Sequence, residues 1–392
     1  MRYRSIGDTG LKASVLGFGT MRFKSAENAA EMIARGIALG MNYFDIGGAY
    51  SWQNDQENAE TWVARALKGR PREGLVLSGK AQVRAGDNPS PRAEAGIGIR
   101  NRDEMWKAIE NSLRRVGVER FDFYQLWDMS QPEHFETACR GKDSPLQAMR
   151  EAKEQGLVGH LGFTTHGQPA DVTRWLKAVP DFRTVTIYYN FLDRYSEDVL
   201  AYARESGVGV KIMGPLRGGL LCGRSNVFAR LLPEFGALPV QQIAIRFLLS
   251  RPGVTCVLTG ANEIAHLEEN VGAAVAADEM TPRQCDAFTR AFAEFSKGEP
   301  LCTGCRYCVG SCPEKLQVYQ LMGVYQMLEI FEMESGREQL AAAAGKAHLD
   351  ASRCKACKEC VEACPQSLPI PDRMERLAEL AKQLSESRCA GS

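Results

Sequence analysis

The sequence has no run of about 18 apolar residues, and no stretch of roughly 7–15 apolar residues follows Met1-Arg2-Tyr3-Arg4. Neither a membrane-spanning helix nor a secretory leader is expected, which makes the cytoplasm the expected location. Charge of one sign is also missing. The 48 Lys and Arg balance 48 Asp and Glu, so no net field draws in nucleic acid or an anionic membrane, and neither is expected as a partner. No Gly-x-Gly-x-x-Gly follows the first strand-like run, which argues against an open doubly wound fold. What the chain does have is length and cysteine. Its 392 residues exceed one average domain. Its 13 cysteines, in a reducing compartment, argue for metal ligation or burial over a disulfide framework.

Eight of those cysteines form two runs, CTGCRYCVGSC over 302–312 and CKACKECVEAC over 354–364, each followed by proline. Both read C-x2-C-x2-C-x3-C-P, a spacing that brings three thiolates round one iron–sulfur cube and sends the fourth to another. One 4Fe–4S cluster is therefore expected on Cys302, Cys305, Cys308 and Cys364, and a second on Cys354, Cys357, Cys360 and Cys312. Zinc is the competing reading, but its structural sites usually pair C-x2-C knuckles. Cys139, Cys222, Cys256, Cys285 and Cys389 stand singly and read as core or tail thiols. The 41 residues between the runs include LQVYQLMGVYQMLEIFEME, with apolar residues at helical spacing. A Met and Tyr stripe there, Tyr319, Met322, Tyr325 and Met327, is expected to pack the core of a helical domain.

The preceding part of the chain alternates short strand-like runs with amphipathic helical stretches. The runs are ASVLGFG from Ala13, NYFDIGG from Asn42, LVLSGKA from Leu75, FDFYQLW from Phe121, VGHLGFTTH from Val158, TVTIYYN from Thr184, GVGVKIMG from Gly207 and VTCVLTG from Val254. Eight strand–helix units predict a closed (β/α)8 barrel. The expected organisation is a barrel over 1–280, a linker helix over 281–300 and a helical iron–sulfur domain over 301–392.

Active sites in such barrels lie where strands end. Asp45 and Tyr50 follow the second run, Lys80 closes the third and Trp127 closes the fourth. A Tyr hydroxyl whose pKa is lowered by a Lys ammonium held by an Asp has the parts to protonate an oxyanion near neutral pH. Taken with YRSIGDTGLKASVLGFGTMRF, NYFDIGGAY, SGKA and LEEN, these residues resemble the aldo-keto reductase superfamily over residues 1 to about 275, and its branch with a C-terminal two-cluster ferredoxin-like domain over the whole length. The resemblance implies that Asp45, Tyr50 and Lys80 are three members of a catalytic tetrad, with Tyr50 as general acid. It implies a nicotinamide cofactor, NAD(H) or NADP(H), with Thr164 and Thr165 at its carboxamide, Met213 where a Tyr often stacks on the nicotinamide, and Asn270 at its adenine. It also implies that MRYRSIGDTGLK is a hairpin closing the barrel bottom.

The chain departs from that pattern where Trp127 replaces the tetrad's usual His, and where TGANEIAHLEEN carries no Lys or Arg for a 2′-phosphate. The latter predicts a lean toward NADH or a slight preference. His134 and His166 on strand-end loops are candidates to replace the missing His, whereas His160 reads as a core residue. Arg84, Arg92 and Arg100 read as solvated charges or as a receptor for an acidic substrate or the cofactor phosphates. Nicotinamide supplies electrons in pairs and a cube accepts them singly, and no flavin motif is visible. Three functions stay open: a nicotinamide-dependent oxidoreductase of a small carbonyl or conjugated molecule whose clusters serve a redox partner such as a ferredoxin or flavoprotein; a barrel fed with electrons by the clusters alone; or an electron-transfer subunit.

Overall fold

The structure, a computed structural model, describes residues 1–84, 93–235, 238–276, 280–296, 300–302, 307–364 and 366–389. Contacts divide the chain into two compact units, Met1–Pro215 with Ile245–Glu279, and Leu216–Ala244 with Met280–Ser392.

The first unit is the barrel. Its strands are β1 (Tyr3–Ser5), β2 (Lys12–Ser14), β3 (Leu16–Gly19), β4 (Tyr43–Asp45), β5 (Val76–Val83), β6 (Ile97–Ile99), β7 (Phe121–Trp127), β8 (Val158–Thr165), β9 (Phe182–Tyr188), β10 (Gly209–Met213) and β11 (Val254–Thr259). Eight of them pair in parallel in the order β4-β3-β11-β10-β9-β8-β7-β5, and a β4–β5 pairing closes the ring. Each of the eight predicted runs supplies one barrel strand. The antiparallel β1–β2 hairpin covers the N-terminal ends of the strands, where Arg4 donates to the carbonyl of Val254 at 2.7 Å. Short β6 adds to the outer part of β5.

Local signals set the helix ends. Asn101 caps Arg102–Val116 by accepting from the Glu104 amide, and Gly117 ends that helix at φ 72°, where a side chain would be strained. Asn58 forms a capping box with Thr61 at the start of Ala59–Leu67.

In the second unit, the predicted helical insert forms Val318–Tyr325, and one π-helical turn, Gln326–Ile330, continues it. Met322 and Met327 are buried, and Tyr319 and Tyr325 pack partly buried on the same core. That core gathers Leu316, Leu321, Leu340, Leu368 and Met374 around Cys302, Cys308 and Cys360. Leu216–Ala244 belongs to this unit by its contacts. Ser225 donates to the Phe331 carbonyl, and Phe228 stacks on Phe331 at 5.6 Å. No helix among the described residues is long and apolar enough to cross a membrane.

Candidate active site and cluster ligands

Two strands and a loop bring Asp45, Lys80 and Tyr50 together. Asp45 ends β4 opposite Ser78 of β5. Two residues on, Lys80 turns into the barrel beside Gln125 of β7. Because β5 runs on to Val83, Lys80 lies inside the strand and does not close it. Its Nζ donates to Asp45 Oδ1, and both side chains are 4 % exposed. The loop after β4 returns Tyr50 over this pair. The Ile46 amide donates to the Ser78 carbonyl at 2.8 Å, and the Tyr50 carbonyl accepts from Ala59 at 2.9 Å, which ties the loop to the capped helix start. A Cβ on Gly47 would come within 3.1 Å of both Lys80 Cε and Tyr50 Cε2, so a side chain there would press on both groups by a few tenths of an ångström.

The Lys80 ammonium lies 4.9 Å from the centre of the Tyr50 ring and 5.7 Å from that of Trp127. Trp127 meets Tyr50 edge-on at 5.1 Å. Burial alone would discharge Lys80, but the Asp45 carboxylate overrides it and holds the lysine above its ordinary pKa, as an ammonium. Burial lifts the Tyr50 phenol above its ordinary value, and Lys80 pulls it partly back. The lowered phenol pKa expected from a Lys neighbour is therefore outweighed by desolvation, and the phenol stays protonated, a donor. Ser51 and Asp128, directly after Tyr50 and Trp127, both adopt left-handed backbone conformations at φ 51° and 63°, strain of the kind that gathers at functional sites.

Sequence reasoning missed the layer beneath. Gln125, fully buried, donates to Asp45 Oδ2 at 3.1 Å and to Ser78 Oγ at 2.8 Å. Its Oε1 accepts from Thr186 Oγ1 at 2.8 Å and from Lys211 Nζ at 3.0 Å. The available signal was a Gln and a Lys inside otherwise apolar strand runs, FDFYQLW and GVGVKIMG.

The remaining predicted positions ring the strand ends. Thr164 Oγ1 accepts from the Asp128 amide at 3.0 Å. Thr165 Oγ1 donates to the Met129 carbonyl and accepts from Gly167, so its hydroxyl is engaged in both senses. Met213 ends β10 half-buried. Asn270 donates one amide hydrogen to Thr259 Oγ1 at 3.0 Å. His134 Nδ1 lies 2.8 Å from the Asp128 carbonyl, His166 is exposed, and His160 packs half-buried on Phe123. Arg84 is exposed, the Arg100 guanidinium pairs with Glu104 at 2.7 Å, and Arg92 lies outside the described residues.

A cation that TGANEIAHLEEN itself lacks lies beside it, in the loop after β3. Arg22 is exposed and lies so close to Gly260 that a Cβ there would sit 3.0 Å from its Cγ. The Asn262 amide donates to the Arg22 carbonyl at 3.2 Å, and Lys24 pairs with Glu263 at 3.1 Å.

In the second unit, Cys312, Cys354, Cys357 and Cys360 line one cavity, open to solvent, with Leu316, Val318 and Met374 as part of its apolar wall. Its thiols are one from the first run and three from the second, the same four residues expected for one of the two clusters. No group of three or more His, Cys, Asp or Glu among the described residues is arranged to hold a single ion. A cube is a larger guest whose four irons each take one thiolate, so four thiols spread round one cavity fit it. Cys357 is exposed, whereas Cys360 is buried. Of the other set, Cys302 and Cys308 are buried, Cys364 is half-buried, and Cys305 lies outside the described residues. Gln326 accepts from the Cys302 amide at 3.0 Å, and Arg217 donates to the Cys302 carbonyl at 2.7 Å, fixing the Cys302 backbone.

Comparison with known proteins finds two family matches along the chain. The profile of the aldo/keto reductase family matches residues 15–290, and that of a 4Fe-4S dicluster domain matches residues 301–368. The uncharacterized oxidoreductase YqkF of Bacillus subtilis is 26 % identical over 297 residues, covering 70 % of this chain and 91 % of its own. L-galactose dehydrogenase of Arabidopsis thaliana is 25 % identical, covering 69 % and 87 %. Among solved structures, the holo form of an aldo-keto reductase from Bacillus halodurans superposes with a TM-score of 0.62 at 26 % identity, covering 74 % of this chain and 96 % of its own.

Proposed function

Because the chain belongs to the aldo/keto reductase family and is an oxidoreductase with a 4Fe-4S dicluster domain, we propose that its barrel interconverts a small carbonyl or conjugated molecule and its reduced form, with Tyr50 moving the proton. The observation that carries this reading is the Tyr50 phenol set over an ammonium that a buried carboxylate holds charged. A nicotinamide dinucleotide, when bound, supplies or takes the hydride. In the reducing direction Tyr50 donates its proton to the oxygen that gains charge, and the Lys80 ammonium beneath stabilises the phenolate left behind. Trp127 offers an aromatic edge where an orienting His would stand, which favours a flat or ring-shaped substrate.

The residues present suit the dinucleotide. Thr164 and Asn270 each keep hydrogen-bonding capacity: the Thr164 hydroxyl accepts one bond and still has its proton to give, and Asn270 still has Oδ1. Thr165, engaged both ways, holds the loop after β7 in place. Arg22 beside Gly260 offers a cation to a 2′-phosphate, which supports NADPH beside the lean toward NADH expected from the segment alone. In the second unit, Cys302, Cys305, Cys308 and Cys364 would hold one 4Fe–4S cluster, and Cys312, Cys354, Cys357 and Cys360 the other. The exposure of Cys357 suits electron exchange with a redox partner protein, a ferredoxin or flavoprotein.

A second reading, in which electrons reach the substrate through the clusters without nicotinamide, is favoured by the occupied Thr165 hydroxyl. Titration of anaerobically purified protein with NADH and NADPH separates the two. Saturable binding is expected; its absence with both would put the second reading first.

A further inference from the structure

Lys211 is a fully buried lysine in the barrel core that the proton-delivering group does not include. Among the described residues its Nζ has two acceptors, Gln125 Oε1 at 3.0 Å and Thr184 Oγ1. Two acceptors suit the two hydrogens of a neutral amine, whereas an ammonium brings a third. Charge balance agrees with that count. The titratable groups facing Lys211 are Asp45 and Tyr43 of β4, Lys80 of β5 and Cys256 of β11. Burial raises the pKa of both the Tyr43 phenol and the Cys256 thiol, keeping them uncharged. The layer thus holds one carboxylate for two lysines, and Asp45 is already paired with Lys80. Phe123 and Thr186 also border it, and among the described residues no further charge is seen to face it.

We propose that Lys211 is a pH-sensitive positioning residue: as a neutral amine it leaves Asp45 wholly to Lys80, and on protonation it competes, through Gln125, for the same carboxylate and loosens Lys80 beneath Tyr50. The chain of contacts is continuous. Lys211 donates to the carbonyl end of the Gln125 amide, the nitrogen end of that amide donates to Asp45 Oδ2, and Asp45 Oδ1 holds Lys80. A second buried cation polarises Gln125 and draws the Asp45 charge toward itself. Burial first, and Lys80 as a like charge, push Lys211 down to about 7 against the pull of Asp45, so the exchange falls near neutral pH.

This inference rests on the proposed role of the Tyr50–Lys80–Asp45 group, but its test needs no turnover, so the two can fail separately. Full-length, cluster-loaded protein labelled at lysine Cε and at the tryptophan indole nitrogen is followed by NMR from pH 5.5 to about 11. Lys211→Met identifies the Lys211 signal and Trp127→Phe that of Trp127, whose ring lies 5.7 Å from Lys80 Nζ. The expected result is a Lys211 signal with its midpoint at about 7 and a Trp127 indole signal that moves through the same midpoint. In Lys211→Met the Trp127 movement disappears. Gln125→Met, a second route should Lys211→Met not fold, keeps the Lys211 titration but uncouples Trp127 from it. A Lys211 midpoint near the ordinary 10.5, or a Trp127 signal indifferent to Lys211, overturns the proposal.

Discussion

The Asp45–Lys80 pair sets the scale for the most direct mutational test. Both side chains are 4 % exposed, and Asp45 also accepts from Gln125 at 3.1 Å. Asp45→Asn keeps the shape but leaves a buried ammonium without its counter-charge. Breaking a buried pair in this way costs about 3–5 kcal/mol, against roughly 0–1 kcal/mol for an exposed pair. At roughly 2–4 °C per kcal/mol for a domain near this size, the barrel transition should fall by about 6–20 °C. Lys80→Met strands the carboxylate instead and should cost less than Asp45→Asn, because Gln125 remains bonded to it and Lys211 lies one bond further on. The double variant should be more stable than the sum of the singles by a few kcal/mol, since it removes both charges together. The assay is thermal and urea unfolding of anaerobic protein, read on the barrel's transition. Its pH dependence has a definite sign. The folded pKa of Lys80 lies above its unfolded value of 10.5, so the pair's contribution is complete below that pH and is lost as pH rises through the folded value. Additive single variants, each costing under about 1 kcal/mol, would refute the view of this pair as a buried, coupled unit.

Tyr50→Phe removes the only proton the phenol can give and should abolish turnover of the native substrate. Trp127→His should raise activity on simple aldehydes and lower it on the native one, by an amount on the order of 10²–10³ if one oxyanion-type donor is restored. Steady-state rates on an aldehyde panel and on cyclic enones check both, and near-full activity in Tyr50→Phe would remove Tyr50 from proton delivery. Cys312→Ala should damage the cluster whose other ligands begin at Cys354, and iron analysis with EPR should show the loss of one cluster of two; zinc in place of iron would contradict the assignment. Arg22→Ala should weaken NADPH binding about tenfold or more with little effect on NADH, because a charge-assisted contact contributes roughly 1.5–3 kcal/mol; equal losses for both dinucleotides would place the 2′-phosphate elsewhere.

Features written in local pattern were legible without tertiary structure. Strand alternation and helix stops marked each barrel strand to within a few residues, because a strand buried on both faces must be apolar along its length and a turn must interrupt it. The cluster cysteines declared themselves by spacing, since iron chemistry sets how many residues separate neighbouring thiolates. Asp45, Tyr50 and Lys80 were legible as strand-end polar residues and through family resemblance, but not how far burial lifts the phenol, which depends on everything packed around it. Gln125 and Lys211 lie 86 residues apart, in runs that look like ordinary buried strands. Only closure of the barrel turns both side chains inward onto Asp45. Arg22 likewise became a candidate phosphate cation only when β3 and β11 paired and set its loop beside Gly260. The membership of Leu216–Ala244 in the second unit depends on contacts such as Ser225 to Phe331 across 106 residues. A periodicity records which face of its own element a residue occupies; which residues of distant elements share a buried layer, and so must balance one another's charge, is settled when the ring of strands shuts.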